Sequence, residues 1–176
     1  LCGITRLPAI TQATVAVVNN AQREHQEFMA SVEAVARENG SVIEALPASG
    51  TAVFPAQDEH SGLWRALAGQ RRVIEFGRAE GTVQAQGTVQ AQGTAQAQGT
   101  VQAQGAVRVR GTWQGAHWNV TLETPAGRID TTIAVPGEHN LLNAAASAAC
   151  ALAAGAPNDA IARGLADFAP VKGRLQ

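Results

Sequence analysis

The chain has 176 residues, of which 45% are hydrophobic, and a formal net charge of −1 at pH 7. This length and apolar content can form the core of one domain of ordinary size, which argues against a chain that is disordered throughout. The 13 basic residues are scattered among 14 acidic ones, so the sequence offers no basic surface for nucleic acid.

The compartment is indicated by what the sequence lacks. No apolar run approaches the ~20 residues of a membrane-spanning helix, and residues 1–10 do not resemble a signal peptide. Cys2 and Cys150 lie far apart without zinc or CxxC spacing, which favours unpaired thiols in a reducing compartment. We therefore expect a cytoplasmic monomer with no membrane partner. Because the sequence begins without Met and ends in a loop-like stretch, we also expect it to be part of something longer.

Strand and helix signals alternate in the first half of the chain. Residues 14–19, TVAVVN, predict a buried parallel strand. Residues 28–45 have helical spacing interrupted at Asn39 and Gly40, which can end or bend a helix, so one helix or two helical pieces follow the strand. Strand signals at 50–56 and 72–77 flank an amphipathic segment at 63–67. This alternation predicts an α/β fold with an open parallel sheet.

A near-perfect repeat interrupts that pattern. Residues 81–104 read GTVQAQ, GTVQAQ, GTAQAQ, GTVQAQ. In an extended chain every repeat would place the same residues on the same face, but one small Val or Ala per repeat offers little to bury. We interpret the segment as an expanded surface loop or ribbon rather than a β-helix.

The second half predicts an antiparallel addition followed by helices. Residues 107–113, 117–127 and 128–135 alternate apolar and polar residues, with a hairpin turn at 125–127. Residues 139–155 form an Ala-rich helical stretch ended by Gly155, and a further helix extends to Phe168.

Three groups of residues could carry chemistry. The first, at residues 19–25, reads NNAQREH and presents His25 just after the first strand, where a neutral imidazole could bind a divalent cation. A histidine in this position is also compatible with an ordinary hydrogen-bonding surface role.

The second group is Asn140 and Asn143, which lie three apart and so share one face of a helix. A carboxamide pairs a donor with an acceptor and can read the N6 and N7 edge of adenine. The alternative is that Asn140 only caps the helix. The third group ends the chain, where Arg174 could reach phosphate or ribose oxygens or could simply be part of an exposed charged tail.

Several segments, taken in order, resemble one family. They include NNAQREH at 19–25, GTAVFPAQDEHSGLW at 50–64, GEHNLLNAAA at 137–146 and KGRLQ at 172–176. Their order and spacing resemble the MurF family of UDP-N-acetylmuramoyl-tripeptide:D-alanyl-D-alanine ligases. The resemblance implies a Mur-ligase central domain, which is a P-loop NTPase-like open parallel sheet with helices and a small antiparallel sheet.

The resemblance also implies roles and ligands. His25 corresponds to the family's metal-binding histidine, Asn140 and Asn143 to its adenine-side asparagines, and Arg174 to its nucleotide-contacting arginine. The implied cofactors are ATP and Mg²⁺. The implied substrates are UDP-MurNAc-tripeptide and D-Ala-D-Ala, joined through an acyl phosphate because a free carboxylate is a poor electrophile.

The sequence also departs from the family pattern. It contains no GxxGK[ST] phosphate-binding loop, and Asn39 stands where many Mur ligases have a carbamoylated lysine. We therefore expect residues 1–176 to be a partial, truncated central domain with residues 81–104 as an insert, without the N-terminal UDP-binding and C-terminal domains. Such a chain should be catalytically inactive and marginally stable. The alternative is a non-catalytic scaffold that binds partners through its repeat.

Overall fold

The computed structural model describes residues 11–21, 31–79 and 105–169. The elements follow in this order: β1 (Val15–Val17), α1 (Val32–Glu44), β2 (Thr51–Pro55), α2 (Ser61–Ala68), β3 (Arg72–Arg78), β4 (Ala106–Trp113), β5 (Trp118–Thr124), β6 (Gly127–Ile133), α3 (His139–Ala153) and α4 (Asn158–Ala166).

The six described strands form one mixed sheet in the order of the sequence. Strands β1 to β4 are parallel, with Val53 beside Ile74, whereas β4, β5 and β6 are antiparallel, with Val109 opposite Leu122. The predicted α/β class is confirmed. The predicted antiparallel strands continue the parallel sheet, because β4 pairs with β3 on one side and β5 on the other.

Helices pack against both faces of the sheet. Helix α3 packs along one face, where its buried alanines allow a close approach to the strands. The helix lies close to β4 at Gly111, where a Cβ would be 2.6 Å from Leu141 Cδ2. Helices α1 and α2 pack on the opposite face of the parallel strands, around Phe54 and Trp64. The core therefore has two layers, one on each side of the parallel part of the sheet.

Helix α1 continues through Asn39 and Gly40, so of the two alternatives the structure has one helix rather than two pieces. Gly40 is buried against α2, and a Cβ at this position would lie 2.5 Å from Leu67 Cδ1 and 3.1 Å from Trp64 Cδ1. The Trp64 indole N–H donates to the carbonyl of Ala36 at 2.9 Å. The glycine is thus a packing residue, since tertiary contact outweighs its weak helix propensity.

The predicted turn and helix end are confirmed. Thr124 pairs with Gly127, whose φ of +109° suits a glycine at the hairpin turn between β5 and β6. Gly155, with φ of +86°, follows the end of α3.

The repeat at 81–104 falls outside the described residues, so its interpretation as a loop or ribbon stays a prediction. It belongs to the connection between the parallel neighbours β3 and β4. Among the helices that the structure describes, none combines the length and apolar character needed to span a bilayer.

Candidate functional site

Polar residues meet where the parallel strands β1, β2 and β3 end. A cavity of about 270 Å³ lies there, lined by Asn19, Asn20, Pro55, Gln57, Asp58, Phe76, Gly77, His139, Leu142 and Asn143. Ligands of open α/β sheets bind outside the carboxyl ends of the strands. The cavity therefore lies where the first sequence group was expected to present its side chains.

One hydrogen bond joins two of the predicted groups. The Asn19 side-chain amide, after β1, donates to Asn143 Oδ1 on α3 at 3.1 Å, across a separation of 124 residues. Asn143 Nδ2 in turn donates to Asn140 Oδ1 at 3.1 Å. The structure therefore brings Asn140 and Asn143 together, as their spacing predicted, and ties them to the strand end that precedes His25.

Asn140 does not cap α3, so the capping alternative is wrong. Its Nδ2 donates to the carbonyl of Pro136 at 2.7 Å, and the residue at the cap position, Glu138, makes no side-chain capping bond. The Asn140 backbone N–H donates to the Gly137 carbonyl at 3.1 Å. Because the turn satisfies the first backbone donors itself, the Asn140 side chain is available to hold the loop before the helix.

Gln57, a residue that the sequence patterns did not point to, lines this cavity. Gln57 follows β2, its Oε1 accepts from the Arg78 N–H at 3.0 Å, and its Nε2 donates to the Arg78 carbonyl at 3.3 Å. Gly77 leaves room for it, since a Cβ there would lie 2.7 Å from Gln57 Oε1. Arg78 also forms a 2.9 Å ion pair with Glu138 beside α3. The only signal in the sequence was a polar residue directly after a strand.

Asn39 also contacts this edge of the sheet. Its Nδ2 donates to the Asn20 carbonyl at 3.2 Å. This residue holds the loop after β1 through an uncharged amide, where the resemblance implied a negatively charged carbamate in many Mur ligases.

A second cavity, of about 400 Å³, lies between α3, α4 and the end of β6. Its walls are mostly apolar, including Ile133, Ala151 and the exposed Phe168, and its polar side chains come from Asn140, Asn143 and Ser147. Asn143 lines both cavities. A mostly apolar cavity with a few polar groups suits a flat aromatic group that has a hydrogen-bonding edge.

The described residues place one carboxylate at the strand-end cavity, whereas the predicted metal-binding residue His25 lies outside them. Asp58 is the carboxylate that lines the strand-end cavity, and its Oδ1 accepts from the His60 backbone N–H at 2.8 Å. Within residues 11–21, 31–79 and 105–169, no three His, Cys, Asp or Glu side chains are grouped to hold a metal. His25 and Arg174 fall outside these ranges, so their roles stay predictions.

Comparison with known proteins identifies the fold family. Residues 2–151 match the Mur ligase middle domain. The chain belongs to this family.

Two curated relatives show how broad the match to Mur ligases is. A UDP-N-acetylmuramoyl-tripeptide–D-alanyl-D-alanine ligase of Escherichia coli (strain K12) is 32% identical over 167 residues, covering 95% of the chain and 32% of the relative. A UDP-N-acetylmuramate–L-alanine ligase of Arthrobacter sp. (strain FB24) is 33% identical over 168 residues, covering 92% of the chain and 30% of the relative. The chain spans about a third of the length of these Mur ligases.

Solved Mur ligase structures have the same fold. A crystal structure of MurF from Acinetobacter baumannii superposes with a TM-score of 0.78 and 25% identity, over 98% of the chain and 33% of that protein. The MurF ligase from Thermotoga maritima, solved in complex with ADP, gives a TM-score of 0.69 and 19% identity, over 99% of the chain and 35% of that protein. The predicted Mur-ligase central fold is confirmed.

Proposed function

We propose that this Mur ligase middle domain forms part of the ATP site of a peptidoglycan-precursor ligase. The observation that carries the proposal is the Asn19–Asn143 hydrogen bond at the carboxyl edge of the sheet. It joins the segment after the first strand to the asparagine pair on α3, the two segments in which the resemblance to the ligases is most specific. Family membership and the ADP bound to the Thermotoga maritima relative support a nucleotide as the ligand.

The two cavities suit the two ends of ATP. The apolar cavity between α3 and α4 would receive the adenine ring, with the Asn140 and Asn143 carboxamides at its hydrogen-bonding edge. The strand-end cavity would face the phosphates. By the resemblance, His25 would bind Mg²⁺ and Arg174 would contact the nucleotide. Mg²⁺ commonly takes only one or two carboxylates and completes its shell with phosphate oxygens, so Asp58 fits as a contributor.

For the whole ligase we propose addition of D-Ala-D-Ala to UDP-MurNAc-tripeptide, as the Escherichia coli relative is named. Phosphorylation of the tripeptide carboxylate supplies the leaving group that the attacking amine displaces. In this proposal residues 1–176 are part of the central domain, and residues 81–104 are an insert in it. The contribution of the described residues is to position the nucleotide.

Nucleotide binding is tested by titrating the chain with ATP in a calorimeter, with and without Mg²⁺. Wild type and Asn119→Ala, which removes an exposed asparagine of β5, should bind alike. Asn140→Ala should lose roughly tenfold or more in affinity, since one or two hydrogen bonds to the base are removed. Equal binding by all three folded proteins would contradict the assignment of the base to this cavity.

The substrate is tested on the longest natural polypeptide that contains this sequence. Phosphate release should require UDP-MurNAc-tripeptide with D-Ala-D-Ala. Release with UDP-MurNAc and L-alanine instead would assign the ligase to the other kind of relative. Deleting residues 81–104 should leave both turnover and binding of other molecules intact. If the deletion leaves turnover intact but removes a bound partner, the result would favour a scaffold role for the repeat.

A further inference from the structure

Consecutive hydrogen bonds link Asn19 to Asn143, Asn143 to Asn140, and Asn140 to Pro136. In each of them the residue named first is the donor. The Pro136 carbonyl has no hydrogen to donate, so Asn140 must turn its Nδ2 toward it. Asn140 Oδ1 then faces Asn143 and accepts from Asn143 Nδ2, which leaves Asn143 Oδ1 to accept from Asn19. A carboxamide is nearly symmetrical in shape, and here its orientation is fixed by partners at both ends.

This direction determines what the asparagine pair offers a ligand. The Asn140 and Asn143 carboxamides each donate one hydrogen bond and accept one in this series. Each therefore keeps one N–H and one oxygen lone pair for a ligand. Both side chains line the apolar cavity. If either amide flipped, donor and acceptor would change places at the cavity wall.

That exchange matters for base recognition. Adenine presents an amino donor at the position where guanine presents a carbonyl acceptor. A carboxamide whose oxygen faces that position accepts from the adenine amino group, whereas a flipped carboxamide would donate to the guanine carbonyl there instead. Asn143 is exposed, so packing alone does not hold its amide, and its orientation rests on the hydrogen bonds at its two ends, to Asn140 and from Asn19.

We infer that Asn19 is a positioning residue for base selectivity: it holds the Asn143 carboxamide in the orientation that favours adenine over guanine. The inference rests on the proposed function, because it assumes that the base binds beside Asn143. Asn19 touches no base itself and acts through Asn143.

Two substitutions separate orientation from packing. Asn19→Asp keeps the side-chain shape but replaces the donor with an acceptor, so Asn143 must flip or face a carboxylate. Asn143 cannot flip without setting its oxygen against Asn140 Oδ1, which the Pro136 carbonyl holds in place. Asn19→Ala only removes the contact. An orientation role therefore makes the Asp variant worse than the Ala variant, whereas a packing role makes it milder.

The experiment measures binding of adenosine and guanosine to the 176-residue chain by NMR titration in EDTA. Uncharged nucleosides and the absence of metal keep the new carboxylate from acting through charge. Wild type and Asn119→Asp should prefer adenosine. Asn19→Asp should lower the adenosine-to-guanosine affinity ratio roughly threefold to tenfold, and Asn19→Ala should lower it less, in keeping with one lost or reversed hydrogen bond. The Asn143 side-chain amide resonances should shift most in the Asp variant.

The outcomes are distinct. An unchanged ratio in Asn19→Asp, or a larger drop in Asn19→Ala, overturns the inference and leaves the nucleotide site in place. If the folded wild-type chain binds neither nucleoside, the proposed function fails and the inference fails with it. A lower ratio with unshifted Asn143 amide resonances also overturns the inference, since Asn19 would then act on the base by another route.

Discussion

Arg65 on α2 forms an ion pair with Glu75 in the middle of β3. Glu75 is only 8% exposed, and the Arg65 guanidinium lies 5.9 Å from the centre of the Phe54 ring. A charged carboxylate inside a sheet needs such a partner, because burial without one costs several kcal/mol. The pair therefore helps to hold α2 on its face of the sheet.

Removing only the arginine should destabilise the fold. We expect Arg65→Met to lower the free energy of unfolding in urea by roughly 1–3 kcal/mol, less than for a fully buried pair because Arg65 is partly in water. The double variant with Glu75→Gln should recover part of this loss. Arg110→Met is the matched control, since its partner Glu123 is half exposed and the change should cost under about 1 kcal/mol. Equal effects at the two pairs would contradict the role given to Glu75.

A side chain at Gly40 should loosen the contact between α1 and α2. Gly40→Val places new atoms against the buried Trp64 ring, and we expect a loss of roughly 1–3 kcal/mol in unfolding free energy. Gly164→Ala in α4 meets nothing within 4 Å and should stabilise by up to about 1 kcal/mol through helix propensity. A stabilising Gly40→Val would show that α2 does not pack so closely.

Filling the apolar cavity should block the nucleotide. Ala151 lines this cavity, whereas Ala154, just past the end of α3, is exposed. We expect Ala151→Leu to weaken ATP binding at least roughly tenfold, equivalent to about 1.4 kcal/mol, and Ala154→Leu to leave it unchanged. Calorimetric titration gives the affinities, and urea unfolding shows whether both variants stay folded. Full-strength binding by a stable Ala151→Leu would place the base elsewhere.

Burial raises the pKa of the Cys150 thiol, because the thiolate is poorly solvated beside α3's apolar neighbours. In a Cys2→Ala background, iodoacetamide should therefore react more slowly with the folded chain than with the unfolded chain at the same pH.

The same shift makes stability depend on alkaline pH. The contribution of Cys150 is fully present below the unfolded thiol pKa of about 8.5 and is lost as the pH rises through the higher folded pKa. With rising pH, the free energy of unfolding measured in urea should thus fall more in the protein that has Cys150 than in Cys150→Ala. Identical pH profiles would contradict the shift.

The pKa of Asp159 is lowered, chiefly by its hydrogen bond with Arg163 at 2.7 Å. Stability from this pair is present above the unfolded pKa of Asp159 and is lost as the pH falls through the lower folded value. We expect Arg163→Gln to raise the pKa of Asp159 toward its usual value in an NMR titration. Arg128→Gln should raise the pKa of Asp130 instead and leave Asp159 unchanged. A common shift at both carboxylates would point to the overall charge as the cause.

Much of the fold was predictable from local patterns. Short β-branched runs and the alternation at 117–135 predicted strands, and helical spacing predicted helices. These elements correspond to β1 to β6 and α1 to α4, because the period of the apolar residues follows the secondary structure directly. Local patterns left open whether Gly40 breaks the helix. Its role is set by Trp64 and Leu67 on another helix.

The candidate site was predictable only in part. Helical spacing placed Asn140 and Asn143 on one face, but the local preference for capping gave Asn140 the wrong partner. Gln57 was missed because its partner, the Arg78 backbone, lies 21 residues away.

The sequence by itself determined the family, the element types and the asparagine pair, since these depend on residue order and on periodicity within one element. Only the tertiary structure decided that Asn19 meets Asn143 and that the Pro136 carbonyl sets the direction of the hydrogen bonds between them. Such contacts join residues distant along the chain, and no local propensity encodes the position or the free hydrogen-bonding capacity of a distant partner.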